Sequence, residues 1–225
     1  DQDDLKFCYD ILTHVSRSFA SVIIQLSDEL RDAVCLFYLA LRALDTVEDD
    51  MSVPIATKKD VLPKFHENLY NVEWTQFGIG VGKERELLEK FPCVAREFLK
   101  LKSEYRDVIS DITKKMADGM CHFLTNEVVS TKDYELYCHY VAGLVGHGLT
   151  RLFAVSGLED KTLADDLTVS NSMGLFLQKT NIIRDYLEDI VEEPPRIFWP
   201  RDIWSQFTDD LHDFKKPEHV DRAVQ

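Results

Sequence analysis

Residues 28–50 read DELRDAVCLFYLALRALDTVEDD, and this stretch decides the fold. On a helical wheel that starts at Leu30, its apolar residues recur within about 80°, with Tyr38 at the edge of the apolar face. The stretch follows Ser27, a residue type that caps helix N-termini, and Pro54 comes soon after its end. The sequence therefore predicts one long amphipathic helix over 28–50.

The rest of the chain shows the same helical spacing. Its 225 residues include only 9 glycines and 7 prolines, too few for the frequent turns of an all-β sandwich. Further helices are predicted over residues 3–15, 18–26, 57–70, 83–90, 93–124, 130–155 and 165–191, with one more opening at Pro217. Pro63 predicts a kink, Pro92 ends a helix, and Ser130 with Asp133 forms a capping box. We expect an all-α fold in a single domain.

Charge and cysteine content exclude several classes of protein. With 40 acidic and 26 basic residues, the formal net charge is −14, which argues against a nucleic-acid partner. The five cysteines form no CxxC pair, and Cys35 and Cys138 sit in apolar helical patterns, so buried reduced thiols are expected. No run approaches 18 uninterrupted apolar residues, so no segment of this sequence is expected to span a bilayer.

Two acidic boxes share the pattern Asp-x-x-Glu-Asp: Asp45 to Asp49 and Asp185 to Asp189. On the wheel of the 28–50 helix, the three acids of the first box lie at about 60°, 0° and 100°, so they continue the apolar face. Asp50 lies at about 200°, on the solvent side. Carboxylates on a core-facing stripe repel one another and are costly to bury. A bound divalent cation resolves this, and Mg²⁺ prefers carboxylates, waters and phosphates.

The second box ends a polar stripe on the 165–191 helix. With Met173 at zero, the stripe spans about 60° to 160°, with apolar residues on both sides. It contains Gly174, Gln178, Asn181, Asp185, Glu188 and Asp189. We expect it to face a polar cavity inside the bundle. The alternative, a solvated acidic helix end, explains one box more easily than two boxes that both continue interior faces.

Three arginines and one glycine-containing helix are further candidates for a functional site. Arg17, Arg42 and Arg184 are candidates to bind a phosphate or to form structural ion pairs. Between Tyr137 and Leu149 the sequence places three glycines in six residues, which indicates close helix packing or a cavity wall. Tyr137, Val141, Val145 and Leu149 fall on one line, an apolar strip with a phenol at one end.

Together these segments resemble the squalene synthases and, more widely, the head-to-head isoprenoid synthases. The matching segments are Ser16–Phe19, Leu41–Asp45, Asp45–Asp50, Tyr137–Gly143, Met173–Thr180 and Asn181–Asp189. The resemblance runs in order from about residue 5 to the end. It implies a terpenoid-synthase-type helical bundle around a central cavity. It also implies two half reactions: two farnesyl diphosphates join to presqualene diphosphate, which NADPH then reduces to squalene, the first committed step of sterol biosynthesis.

The resemblance also assigns roles to residues. It implies that Mg²⁺, with Mn²⁺ as an alternative ion, binds Asp45, Glu48 and Asp49, with Asp185 and Asp189 as a second site. Arg17, Arg42 and Arg184 would contact diphosphate or the NADPH phosphates. Tyr137 would handle a proton or stabilise a cation, and Tyr38 is a further catalytic residue. The pocket and its apolar wall would comprise Ser18, Phe19, Tyr38, Val141, Val145, Leu149, Met173, Leu177, Gln178 and Asn181.

The family pattern extends further than this sequence. We expect residues 1–225 to be one C-terminally truncated catalytic domain of a monomer. The remaining helices and a C-terminal membrane anchor would follow, and the domain would face the cytosol at the endoplasmic reticulum membrane. Residues 192–198 have the composition of a variable loop. Two alternatives stay open: a phytoene- or dehydrosqualene-type synthase that does not use NADPH, and an acidic metal-binding helical module without chemistry.

Overall fold

The computed structural model describes residues 2–219, which form an all-α domain without a β-strand in that range. The helices are α1 (Gln2–Val15), α2 (Phe19–Ile23), α3 (Asp28–Asp49), α4 (Ile55–Val61), α5 (Phe65–Asn68), α6 (Gly82–Glu89), α7 (Phe91–Lys100), α8 (Ser103–Phe123), α9 (Thr131–Cys138), α10 (Leu144–Ser156), α11 (Thr168–Arg184), α12 (Tyr186–Ile190) and α13 (Arg201–Trp204). The all-α prediction is confirmed. Most of the helix predicted to open at Pro217 lies outside the described residues.

Helix α3 is the centre of the bundle. Its buried residues are spread around its circumference and run from Leu30 to Val47, as expected of a helix enclosed by others. It packs against α1, α6, α7, α8 and α10. Its bounds agree with the prediction within one residue, but its burial on all sides is wider than the single apolar face of the predicted amphipathic helix.

One predicted helix is interrupted at a point where the sequence has neither Gly nor Pro. The predicted 93–124 helix is two helices, because Leu101 and Lys102 are extended. Leu101 packs against the core, and the break lets α7 lie along α1 while α8 lies along α3. Pro92, predicted to end the preceding helix, instead occupies the first turn of α7, where its missing N–H costs nothing.

The glycine-containing segment combines a capping box with a π-helical turn. The Ser130 hydroxyl accepts from the Asp133 N–H at 3.2 Å, and the Asp133 carboxylate accepts from the Ser130 N–H at 2.8 Å, which confirms the capping box. Between α9 and α10 the chain forms a π-helix over His139–Gly143. Here α11 approaches so closely that a Cβ on Gly174 would lie 2.5 Å from the Ala142 carbonyl oxygen. The glycines therefore serve close helix packing.

The buried thiols agree with the sequence expectation. Cys35 and Cys138 are buried and unpaired by disulfides. In the part of the chain that the structure describes, no helix has the length and apolar character needed to cross a membrane.

Candidate active site

The first acidic box lies on the last turns of α3. Asp45 and Glu48 are half-buried, whereas Asp49 is more exposed. Asp50, just past the helix, turns away and accepts hydrogen bonds from the Ser52 N–H at 2.9 Å and the Gly80 N–H at 2.7 Å. The structure thus separates Asp50 from the other three acids, as the helical wheel indicated.

Burial and mutual repulsion raise the pKa values of two carboxylates in the first box. Burial raises the pKa of Asp45 well above its usual range, and the charges of Asp49 and Glu48 raise it further while Arg42 opposes the shift. Burial also raises the pKa of Glu48 to about 7, with a further contribution from Asp49. The box therefore holds more negative charge than its protein neighbours compensate.

The second box straddles a helix break, so the prediction of one continuous 165–191 helix is wrong. Helix α11 ends at Arg184, Asp185 lies outside it, and α12 carries Glu188 and Asp189. The break lets α12 bury Ile190, and Tyr186 donates to the Leu211 carbonyl at 2.6 Å. Tertiary packing therefore decides where the helix is broken.

The two boxes are close enough to influence each other. The Arg184 guanidinium donates two hydrogen bonds of 2.6 Å to Asp185 and lowers the pKa of that carboxyl, with a smaller contribution from Arg17. Burial raises the pKa of Asp189 to about 6, and the charges of Asp185 and Asp49 raise it further. Asp49 belongs to the first box, so the charge of one box acts on the other.

Arg196 stands between the boxes, and the sequence analysis missed it. Its guanidinium forms an ion pair with Asp49 and lies 4.0 Å from a Glu48 oxygen. Its backbone N–H donates to the Asp189 carbonyl at 2.9 Å. We expected residues 192–198 to be a variable loop, but they supply a site residue. The excess of carboxylates in the boxes was the sequence feature that required a nearby cation.

Tyr137, on α9, faces the same space. Phe198 stacks on its ring with centroids 4.9 Å apart, and Phe123 contacts it edge-on at 5.4 Å. Burial raises the pKa of Tyr137 well above its usual range, and the charges of Glu48 and Asp49 raise it further. The phenol is therefore protonated at neutral pH. A pocket of about 630 Å³ adjoins it, lined in part by Glu48, Lys58, Phe123, Tyr137, Arg196 and Phe198.

Two of the predicted arginines line a second, cationic pocket. Arg17 and Arg42 border a space of about 240 Å³ together with Lys83, which the sequence analysis did not select, and with one acid, Glu84. Arg42 donates to the Tyr38 hydroxyl at 3.0 Å and lies 3.7 Å from Glu84, while its buried Nε has no partner. Such a free donor among cationic side chains suits an anionic ligand.

The predicted wall residues divide into two groups. Those on α10 and the π-turn are half-buried against the core: Val141, Val145 and Leu149. Gln178 and Asn181 are half-buried on α11, whereas Met173 and Leu177 are 58% and 47% exposed. Ser18 and Phe19 are also exposed, and the Phe19 ring lies 6.0 Å from that of Tyr38.

The chemistry of the boxes fits a hard divalent cation. Within residues 2–219, no three His, Cys, Asp or Glu side chains converge closely enough to hold a metal ion by themselves. Mg²⁺ needs only one or two carboxylates when waters and substrate phosphates complete its coordination. Burial raises the pKa values of Glu48 and Asp189, and a bound cation would favour their ionised forms.

Comparison with known proteins gives the site a family context. A sequence model of the squalene/phytoene synthase family matches residues 12–225. Squalene synthase 1 of Panax ginseng is 56% identical over 220 residues, which cover 97% of this chain and 52% of that protein. Inactive squalene synthase 2 of Arabidopsis thaliana is 54% identical over 222 residues, covering 98% of this chain and 53% of that protein. The chain thus spans about half the length of the curated relatives it matches.

A solved structure agrees with these sequence relatives. The complex of TcSQS with the ligand E5700 superposes with a TM-score of 0.98 at 63% identity, covering 100% of this chain and 66% of that one.

Proposed function

The chain belongs to the squalene/phytoene synthase family, and from that premise we propose that it provides catalytic residues of a squalene synthase. The protein would join two farnesyl diphosphates into presqualene diphosphate and then reduce this intermediate to squalene with NADPH. The observation that carries the proposal is the convergence of two acidic boxes beside Tyr137: Arg196 pairs with Asp49 through its side chain and donates to the Asp189 carbonyl through its backbone. Two boxes suit a reaction in which two diphosphate groups must leave.

The acidic boxes would hold the metal. Asp45, Glu48 and Asp49 would bind Mg²⁺ or Mn²⁺ on one side, and Asp185 and Asp189 on the other. The bound ions would neutralise the departing diphosphate without a proton. Arg184 lowers the pKa of Asp185 through its two hydrogen bonds, and the guanidinium would have to release that carboxylate before a cation binds there.

The cationic pocket would receive a phosphate group. Arg17, Arg42 and Lys83 border it, and the unpartnered Nε of Arg42 would donate to a phosphate oxygen. A diphosphate of the substrate and the phosphates of NADPH share this chemistry. We assign the hydride donor role to NADPH because that step distinguishes squalene synthases from dehydrosqualene-type enzymes.

Tyr137 would act on the positive charge that develops when diphosphate departs. Its protonated phenol and its stacked partner Phe198 offer aromatic faces to a carbocation. The phenol lines one pocket together with Glu48 of the first box, so Tyr137 is also the residue we assign to proton handling in the first half reaction. Tyr38, whose hydroxyl accepts from Arg42, is assigned as a further catalytic residue. The apolar strip of Val141, Val145 and Leu149 would keep water away from the cation.

The cellular setting follows from the family proposal. We propose that the complete protein is a monomer bound to the endoplasmic reticulum membrane by a C-terminal anchor outside this chain, with the catalytic domain facing the cytosol. Separation of a cell lysate into membrane and soluble fractions, before and after deletion of the anchor, tests this placement.

Product analysis tests the catalytic proposal. The full-length natural protein is incubated with farnesyl diphosphate and Mg²⁺, with and without NADPH, and products are identified by mass spectrometry. We expect squalene only with NADPH and presqualene diphosphate without it. Dehydrosqualene in both conditions would instead identify a synthase that does not use NADPH. No consumption of farnesyl diphosphate would leave a metal-binding helical module, an outcome that matters because one close relative is named inactive.

A further inference from the structure

We propose that Arg196 is the resident counter-ion of the two acidic boxes, which occupies the space between them until divalent cations displace it. The proposal rests on the proposed function, because it assumes that those boxes bind metal. It concerns a residue outside both boxes, supplied by the segment that links α12 to α13.

The contacts of Arg196 place its charge between the boxes. Its guanidinium pairs with Asp49 and lies 4.0 Å from Glu48, both in the first box. Its backbone N–H is fixed to the carbonyl of Asp189, in the second box, at 2.9 Å. Its side chain is only 25% exposed. The main chain is thus anchored on one box while the side chain neutralises the other.

A guanidinium and a divalent cation cannot share these carboxylates. A metal ion bound to Asp49 and Glu48 would lie within a few ångströms of the Arg196 side chain, and at that distance the repulsion of the two cations is strong. Metal binding therefore requires the guanidinium to leave, and the ion pair that it gives up opposes metal binding. Because the backbone of Arg196 is held on Asp189, the side chain can swing without the segment detaching.

The displacement would reach the aromatic face of the site. The Arg196 guanidinium lies over the Phe198 ring, 5.1 Å from its centroid, and that ring stacks on Tyr137 at 4.9 Å. When the guanidinium leaves, Phe198 loses its cationic partner, and its stack on Tyr137 is free to rearrange. Metal loading and the uncovering of Tyr137 are therefore linked through Arg196.

Titration of the full-length protein with Mn²⁺ alone tests this inference. Free Mn²⁺ is measured by electron paramagnetic resonance, in the absence of substrate, for the wild type, Arg196→Ala, Arg196→Lys and Arg201→Ala. Arg201 is the matched control, because its guanidinium pairs at 3.6 Å with Glu127, an acid outside both boxes. We expect Arg196→Ala to bind Mn²⁺ about five- to tenfold more tightly, the affinity that a partly buried ion pair withholds. Arg196→Lys should lie between Arg196→Ala and the wild type, and Arg201→Ala should match the wild type.

Opposite results would overturn the inference. If Arg196→Ala binds Mn²⁺ more weakly than or as tightly as the wild type, Arg196 organises the carboxylates or is irrelevant to them, and the inference is wrong while the proposed function stands. If neither the wild type nor any variant binds Mn²⁺ without substrate, the inference is wrong, and the product analysis decides the proposed function separately. Should Arg196→Ala not fold, Arg196→Lys decides on the same measurement, because its compact ammonium lacks the planar fork of arginine. A tighter affinity supports the inference, and an unchanged or weaker one overturns it.

Discussion

Replacing Asp45 with Asn is expected to abolish turnover without destabilising the metal-free protein. The substitution keeps the shape of the side chain and removes one negative charge from the first box. Burial, Asp49 and Glu48 all raise the pKa of Asp45, so its ionised form is unfavourable in the folded protein without metal. The charge is present for the cation and the reaction, and the fold does not depend on it.

The electrostatics of the site give the size of the loss. Even across one intervening water, a unit charge about 4 Å from a cation contributes about 4 kcal/mol at an effective dielectric constant of about 20. Losing that contribution in the transition state slows turnover about 10³-fold. Stability should move the other way, because Asp45→Asn relieves repulsion with Asp49 and Glu48.

Asp50→Asn is the matched control, since it removes the same charge five residues further along the chain. The Asp50 carboxylate accepts from Ser52 and Gly80, so this variant should lose about 1 kcal/mol of stability. Its turnover should stay within about threefold of the wild type. The assay is release of diphosphate from farnesyl diphosphate at saturating Mg²⁺, with the melting temperature measured in parallel. Equal effects of the two variants on turnover would refute the assignment of Asp45 to the metal.

Three further outcomes are expected. The melting temperature of the metal-free protein should fall between about pH 4 and pH 8. The folded-state pKa values of Glu48 and Asp189, about 7 and about 6, lie above the ordinary 4.5 and 3.8, so the stability that their protonated forms contribute at low pH is lost as pH rises through the folded-state values. Glu48→Gln should flatten this pH profile, and a melting temperature that rises with pH would contradict the prediction. Tyr137→Phe should slow presqualene diphosphate formation about 10²-fold, while Tyr134→Phe on the same helix has little effect; equal rates for the two variants would contradict the role of Tyr137. Gly174→Ala should lower the free energy of unfolding in urea by about 2 kcal/mol, because its Cβ would lie 2.5 Å from a carbonyl oxygen; an unchanged midpoint would show that the helices separate at no cost.

The parts of the fold that the sequence predicts are those set by local periodicity and capping. Helix α3 has the predicted bounds within a residue, because its apolar positions repeat over six turns. The capping box at Ser130 forms as predicted, since its two hydrogen bonds join residues three apart. The breaks at Leu101 and Asp185 were not predictable in this way. Neither place has a helix-breaking residue, and packing of distant helices decides both.

The candidate site shows the same division. The acids of both boxes were identified because their spacing repeats on two helices. Arg196 was missed, because it is a single arginine in a loop, 147 residues from its partner Asp49, and a lone loop residue has no periodic pattern. Lys83 lies in the first turn of α6, and it was missed because no spacing in the sequence links it to Arg17 and Arg42, whose pocket it lines. A net excess of carboxylates predicts that cations are needed but not which ones supply the charge.

The central claim is that two acidic boxes form one metal and diphosphate site, and anomalous X-ray diffraction tests it most directly. Crystals of the full-length protein are grown with Mn²⁺ and a non-reactive farnesyl diphosphate analogue, and data are collected at the manganese absorption edge. The account predicts anomalous peaks beside Asp45 and Asp49 and beside Asp185 and Asp189, with the diphosphate between them and the Arg196 guanidinium withdrawn from Asp49. Manganese found only at other surface acids, with the analogue bound away from both boxes, would contradict it.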